Sequence, residues 1–489
     1  CRARWDKVRH EWRTLFISPP KVPDFLVVVQ DVRGQGGSEG TFTGFSQESS
    51  DTSQTHSWVR SLAECNGRLG TYGFSYQGLT QLLAEPGSIP PDCLSPAMTG
   101  LNEFDHWSCD GGAFWWHLGL AWGLQLAAQK ALRLRDTKGW LEIRKSLENN
   151  DYLREGPLLL DKYDPSGMAN NWYQNSRKIK KSNWIIHKPL KTWLRQPMLL
   201  IGGWWDPHLR GILDIYKQSL KAGGEPELHI GPATHLNWWE GTNKLQLNFF
   251  NRHLKLSKDT FSKNKQAYFW NLTTKKWQKN YSPINNERSW GLISKGLACV
   301  ESNDGILEPN SNGSGTVLVV HDPWRPVPSI GGHLGPNPGE AERNELDQRN
   351  DIAIFSSTPF PSTFHLEGHP SLEIVAFADQ EGFDLCVAMS ILNKERTSAK
   401  QLSTGVLRVS GEEAKEPFLR KICLYPLLAD FREGESLRIS IAGAAWPAIG
   451  INPGNQAHPC RAPDANCLVT TISLKLSDSK LRISPLISL

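Results

Sequence analysis

Two hydrophobic rhythms divide the chain. Up to about residue 262, short continuous apolar runs alternate with stretches of helical spacing. Phe25-Leu26-Val27-Val28-Val29-Gln30 and Pro197-Met198-Leu199-Leu200-Ile201-Gly202-Gly203 are such runs, and their length predicts buried strands of a parallel sheet. Trp58, Val59, Leu62 and Ala63 fall at helical spacing after a polar start from Glu48 to Ser53. Leu79, Leu82, Leu83 and Ala84 do the same until Pro86-Gly87. Leu209 to Lys221 predicts a helix closed by Gly223-Gly224, Leu228 to Pro232 a short strand, and Asn243 to Leu254 a last helix. Strand, loop, helix and strand in this order predict an α/β unit with right-handed crossovers. Residues 1–24 are basic and aromatic without a clear period.

Between about 100 and 190 the pattern changes. Phe104, Trp107, Phe114, Trp115, Trp116, Leu118, Leu120, Trp122, Leu124, Leu126 and Ala127 sit at mixed helical spacings. This predicts an aromatic-rich helical insertion, placed where it can cap a site at the sheet edge. Beyond 262, short alternating segments such as Ala267-Tyr268-Phe269-Trp270, Thr316 to Val320, Leu372 to Phe377 and Leu468 to Leu474 are separated by turn residues. Many short strands with such punctuation predict a β-sandwich. The expected organisation is an α/β domain over 1–100 and 190–262, a helical cap over 101–189, and a β-sandwich over 263–489.

The candidate chemistry lies at predicted strand ends. Residues Arg68 to Tyr72 lead into Gly73-Phe74-Ser75-Tyr76-Gln77-Gly78, the local grammar of a nucleophile elbow. Gly73 and Gly78 would let strand and helix pass closely. Asp206 follows the run ending Gly202-Gly203-Trp204-Trp205, and His235 follows Gly231-Pro232-Ala233-Thr234. Carboxyl ends of parallel strands share one edge, so three distant residues can meet there. Their order is Ser, Asp, His, with His235 as general base and Asp206 holding its tautomer. Asp105, Asp110 and Asp214 are rival acids in helical or cap contexts. A Gly-x-Ser, a histidine after Gly-Pro or an Asp at a strand end is each weak alone. The common edge gives them weight.

Composition narrows the classes. The chain has 489 residues, 39% hydrophobic and 21% charged, enough for two or three domains. A net charge of +4, from 54 basic and 50 acidic residues without a Lys/Arg block, excludes an electrostatic nucleic-acid surface. No apolar run approaches the length of a bilayer span, so no membrane partner is expected. Nine irregularly spaced cysteines, with no pair at metal-ligand spacing, are expected to be reduced thiols of a cytoplasmic protein. The glycine-rich loop Asp31 to Gly40 lacks a Walker lysine, and Asp31 and Arg33 are expected to pin it. No cofactor or metal is expected.

The chain resembles the cocaine esterase and X-Pro dipeptidyl-peptidase family of serine hydrolases. The resemblance rests on Gln30-Asp31-Val32-Arg33-Gly34 with Ser38-Glu39-Gly40, Gly73 to Gly78, Gly202-Gly203-Trp204-Trp205-Asp206 and Gly231-Pro232 with His235. It extends to Asp322-Pro323, Pro326-Val327-Pro328, Gly331-Gly332, Ala445-Trp446-Pro447 and Asn452-Pro453-Gly454. It implies an α/β-hydrolase domain, a helical cap, a C-terminal jelly roll, and hydrolysis of acyl esters or amides through an acyl-enzyme. It also implies an oxyanion hole made by the Tyr76 N–H and a tyrosine hydroxyl from an earlier Pro-Tyr segment. Residues 1–24 hold no tyrosine, so this chain is expected to lack that donor and the first strands of the sheet. Amino ester hydrolases of the family carry acids two and three residues after the catalytic Asp, where His208 and Leu209 stand here. An ammonium site of that kind is therefore not expected. Trp107, Phe114, Trp115, Trp116 and Trp205 are the candidate pocket for an apolar acyl group. The partner is then a small acyl ester, amide or short peptide. X-Pro dipeptidyl-peptidase activity and a catalytically weak binding role are the alternatives.

Overall fold

A computed structural model describes residues 2–6, 11–15, 25–176, 184–255, 266–279, 288–457 and 463–486. Strands β1 (Arg2–Asp6) and β2 (Glu11–Leu15) pair antiparallel, and β3 (Val29–Gln30) runs parallel to β1. These three strands form a small sheet of their own, apart from the main sheet. One expectation is corrected here: the run Phe25 to Gln30 is not a buried strand of the main sheet. An apolar run sinks into a parallel sheet where strands pair along both its edges. Here the pairing spans Val29 and Gln30 against Arg2 and Ala3, and Val29 stays 48% exposed.

The main sheet starts after helix α1 (Glu48–Ser61) with β4 (Gly70–Phe74), followed by the short helix α2 (Tyr76–Thr80) and β5 (Cys93–Ala97). A long excursion carries the hairpin β6 (Cys109–Asp110) and β7 (Ala113–Phe114). It then continues through α3 (Trp116–Arg133), α4 (Thr137–Glu148), α5 (Tyr152–Tyr163), α6 (Met168–Ser176) and α7 (Lys191–Leu194). The chain returns as β8 (Leu199–Trp205), α8 (Leu209–Ala222), β9 (Glu227–Thr234), α9 (Thr242–Leu254), β10 (Gln266–Trp270) and β11 (Trp277–Lys279). The sheet order is β11-β10-β9-β8-β5-β4, parallel throughout except for β11. The assignment of Ala267 to Trp270 to the sandwich is thus corrected: β10 pairs in parallel with Glu227 to Ile230. Its short alternation is shared by an outer strand of either sheet, and only the long-range pairing distinguishes them.

The second half is β-rich, as the alternating segments predict. Its strands are β12 (Arg288–Ile293), β13 (Ile306–Pro309), β14 (Thr316–His321), β15 (Ile352–Ser357), β16 (Phe364–Ala378) and β17 (Gly382–Leu392). They continue as β18 (Ala399–Ser410), β19 (Phe418–Cys423), β20 (Leu427–Phe431), β21 (Ser436–Ala442) and β22 (Thr470–Ser484). Burial alternates strictly along β14, the sign of one solvated face, whereas β17 and β21 are buried on both faces. Part of the cover is the β6–β7 hairpin: Ala113 packs with Cys386 and Val406, and the Arg408 N–H donates to Gly111 O at 2.9 Å. The helical excursion is therefore clamped between sheet edge and β-rich domain. The Trp116 and His117 N–H groups donate to Ala448 and Pro447 carbonyls at 2.9 and 3.0 Å.

Candidate active site

The elbow follows from its local sequence. Ser75 holds φ 59° between β4 and α2, a left-handed conformation uncommon for a residue with a Cβ. Its N–H donates to Ala97 O at 3.0 Å and Met98 O at 3.1 Å, which locks the turn onto the end of β5. A Cβ on Gly73 would stand 2.7 Å from Gln77 Cβ, and one on Gly78 would stand 2.8 Å from Ala97 O. Glycine is thus required on both sides of the serine.

Strand ends β8 and β9 deliver the partners. His235 Nδ1 lies 2.6 Å from Asp206 Oδ2, and His235 Nε2 lies 2.9 Å from Ser75 Oγ. For Nε2 to accept the Ser75 proton, the imidazole hydrogen must sit on Nδ1, where Asp206 accepts it. The other carboxylate oxygen accepts the His208 N–H at 2.8 Å. Asp206 is fully buried. Burial works to raise its pKa, but the charge and hydrogen bond of His235, with His208, outweigh this and hold it below the ordinary value. The Phe74 ring lies 5.5 Å from the imidazole, and the Trp238 Nε1–H donates to the His235 backbone carbonyl at 3.1 Å, which ties down the loop.

The rival acids are engaged elsewhere. Asp110 pairs with Arg210 at 2.8 Å, Asp105 accepts from Asn102 at 2.9 Å, and Asp214 accepts from Gln218 at 2.9 Å. Tyr76 heads α2, so its N–H lies outside the helix's own hydrogen-bond ladder and beside the serine.

The five candidate pocket aromatics separate into groups. Trp107 and Trp115 reach the triad through His208, at 4.4 and 5.8 Å between ring centroids, and His208 lies 5.0 Å from His235. Phe114 and Trp116 pack on Tyr173 inside the cap, and Trp205 is half-buried at the end of β8. Sequence reasoning named His208 only as a missing acid. Its Nδ1 bonds to His106 O at 2.6 Å, and burial pushes its pKa down to about 4, so it stands beside the triad as a neutral ring. Trp238 was also missed, although its position three residues after His235 is the spacing of a turn that folds back on the loop carrying His235.

Residues 24–237 match the model of the X-Pro dipeptidyl-peptidase S15 family, and residues 256–474 match that of the X-Pro dipeptidyl-peptidase C-terminal non-catalytic domain. The chain belongs to this family of serine hydrolases. The cocaine esterase of Rhodococcus sp. (strain MB1 Bresler) is 23% identical over 395 residues, 72% of this chain and 67% of that protein. An aminopeptidase of a marine sediment Thaumarchaeota archaeon superposes with a TM-score of 0.67 at 17% identity, over 94% of this chain and 85% of that one. An α-amino acid ester hydrolase gives 0.67 at 16%, over 94% and 85%. A CocE/NonD family hydrolase from Staphylococcus aureus gives 0.65 at 16%, over 94% and 80%. These structural likenesses establish the fold, an α/β-hydrolase domain followed by a β-rich domain. Family membership makes the chain a hydrolase of ester or peptide bonds.

Proposed function

We propose that this hydrolase cleaves small acyl esters, and amides more slowly, through an acyl-enzyme on Ser75. The observation that carries the reading is the unbroken relay from Asp206 through His235 to Ser75 at one sheet edge. As Ser75 Oγ bonds to the substrate carbonyl carbon, its proton passes to His235 Nε2. The carbonyl electron pair moves onto oxygen, where the Tyr76 N–H stabilises it. The oxyanion then collapses, the bond to the leaving group breaks, and His235 gives that group the proton. Water repeats the sequence with roles exchanged and frees the acid. Asp206 stabilises the imidazolium in both halves.

X-Pro dipeptidyl-peptidase activity is the second reading, supported by the match of residues 24–237 to that family. It needs an acid for a free N-terminal amine. His208 and Leu209 follow Asp206 instead, and the charge of Asp110 is taken by Arg210. The ring cluster of Trp107, Trp115 and His208 next to His235 offers no charge for a substrate amine, which supports the ester reading. Treatment with a fluorophosphonate is expected to label Ser75, and Ser75→Ala is expected to abolish aryl-ester turnover while the protein remains folded. Equal rates for the two proteins sink the assignment. An X-Pro anilide turned over faster than an aryl ester reverses the ranking of substrates.

A further inference from the structure

The glycine-rich loop and α1 take no part in the relay, yet they are tied to the elbow. Arg33 Nε donates to Asp51 Oδ2 at 3.1 Å, and Gln47 Nε2 donates to Arg33 O at 3.0 Å. Within the loop, the Gly37 N–H reaches Asp31 Oδ2 at 2.9 Å and the Ser38 hydroxyl reaches Asp31 O at 2.6 Å. Together these bonds fix the first turn of α1. Glu48 in that turn is 2% exposed and accepts the Tyr76 hydroxyl proton at 2.7 Å. Just before it, the Phe45 ring stacks on the Tyr76 ring at 4.9 Å and 16°.

We propose that Glu48 is a positioning residue for the hydrolysis: through the Tyr76 hydroxyl it fixes the backbone whose N–H receives the oxyanion. This rests on the reading of Ser75 as nucleophile. An oxyanion donor is effective when it is already aimed at where charge develops. The helix that carries this donor runs only from Tyr76 to Thr80, a single turn too short to be rigid by itself. A side chain anchored at its far end to another element supplies the missing constraint. Glu48 is an unusual choice for mere packing. Burial pushes its carboxyl up to about 7, and the Tyr76 hydrogen bond is the strongest opposing influence. An apolar residue would fill the same space without that penalty, but it could not hold the hydroxyl.

The test compares Tyr76→Phe, Glu48→Leu and Glu48→Gln with the parent. It reads kcat and KM on an aryl ester, the inhibition constant of an arylboronic acid that forms a tetrahedral adduct, and the melting temperature. Tyr76→Phe and Glu48→Leu are expected to lower kcat about tenfold to a hundredfold with KM within about twofold, and to weaken the boronate in step. Glu48→Gln, which keeps an acceptor, is expected to recover kcat to within about threefold of the parent. A Tyr76→Phe protein whose kcat and boronate constant stay within about twofold overturns the proposal, as does a change confined to KM or to melting temperature. If Glu48→Leu does not fold, Tyr76→Phe decides alone. Ser75→Ala runs alongside. If it is inactive while the tether variants are unaffected, the tether alone falls. If it turns over like the parent, the nucleophile reading falls and takes the tether with it.

Discussion

Asp206 keeps its charge although no part of it meets solvent, because both its oxygens accept hydrogen bonds. Replacing it with Asn leaves the shape but removes the charge that, in the proposed mechanism, holds the Nδ1 proton and stabilises the imidazolium. Asp206→Asn is therefore expected to lower kcat on an aryl ester by about 10⁴-fold, with a smaller change in KM. A loss below about tenfold would argue that another acid serves His235. The meeting of Ser75, Asp206 and His235 was readable from sequence because each follows a predicted strand, and parallel strands bring such ends to one edge. Glu48 was not readable. It falls in the polar start of a predicted helix, and its meaning comes from a tyrosine 28 positions later in sequence. Nor did the aromatic pattern separate Trp107 and Trp115, which face His208, from Phe114 and Trp116, which fill the cap. Residue type and spacing are the same in both cases, and only packing divides them.

At the scale of elements, the elbow depends on how closely α2 lies over β5. A methyl at residue 78 would meet Ala97 O at 2.8 Å and Thr99 side-chain atoms at 2.9 Å. The first is backbone of a buried strand and cannot turn aside. Gly78→Ala is expected to push α2 outward, lower the melting temperature by an amount corresponding to about 1–3 kcal/mol, and reduce kcat by shifting Ser75 and the Tyr76 N–H. Unchanged stability and turnover would mean that the strand-to-helix contact is not what shapes the turn. The same contact explains why an elbow tolerates Gln77 where the strict G-x-S-x-G pattern has its second glycine, with Gly78 one place later. The need is for a missing Cβ facing Ala97, and this chain meets it at 78. Helices α1, α8 and α9 were legible because long amphipathic stretches carry their own period. Strands β3 and β10 were not, since a two- to five-residue apolar segment does not encode its neighbour.

Across the whole molecule, the two halves meet just behind Asp206. The Tyr425 hydroxyl donates to Pro207 O at 2.8 Å, and Arg210 of α8 joins Asp110 of the cap hairpin and Cys423 O of the β-rich domain, at 2.8 and 2.7 Å. Arg210 also lies 4.1 Å from the Tyr425 ring centroid. A polar junction of this kind is held by desolvated groups, and it puts titratable histidines in dry surroundings on both sides. Burial pushes His208 down to about 4 and His106 to about 3 near the junction, and His56 and His369 to about 4 in α1 and β16. His117, His253, His321 and His333 are lowered in the same direction for the same first reason. The first four stay neutral in the folded chain through the range where the unfolded chain protonates them, and the other four take up a proton less readily folded than unfolded. Between about pH 6.5 and pH 4 the unfolded chain thus binds more protons at these sites, and stability falls with pH. Glu48 and Asp214 act oppositely, because burial raises both carboxyls and the folded chain keeps those protons longer. Eight lowered histidines against two raised carboxyls among the described residues set the net sign. At about 1.4 kcal/mol per pKa unit, the four histidines pushed to about 3 or 4, less the opposing share of Glu48, bring the loss from pH 7 to pH 5 to several kcal/mol. Melting temperatures measured across that interval are expected to fall steadily. Because the histidines lie in both halves of the chain, the fall should appear in the transition of each. A melting temperature that holds or rises towards pH 5 would show that these imidazoles take up protons without leaving their folded sites, and would remove the dry junction from the account of how the two halves are held.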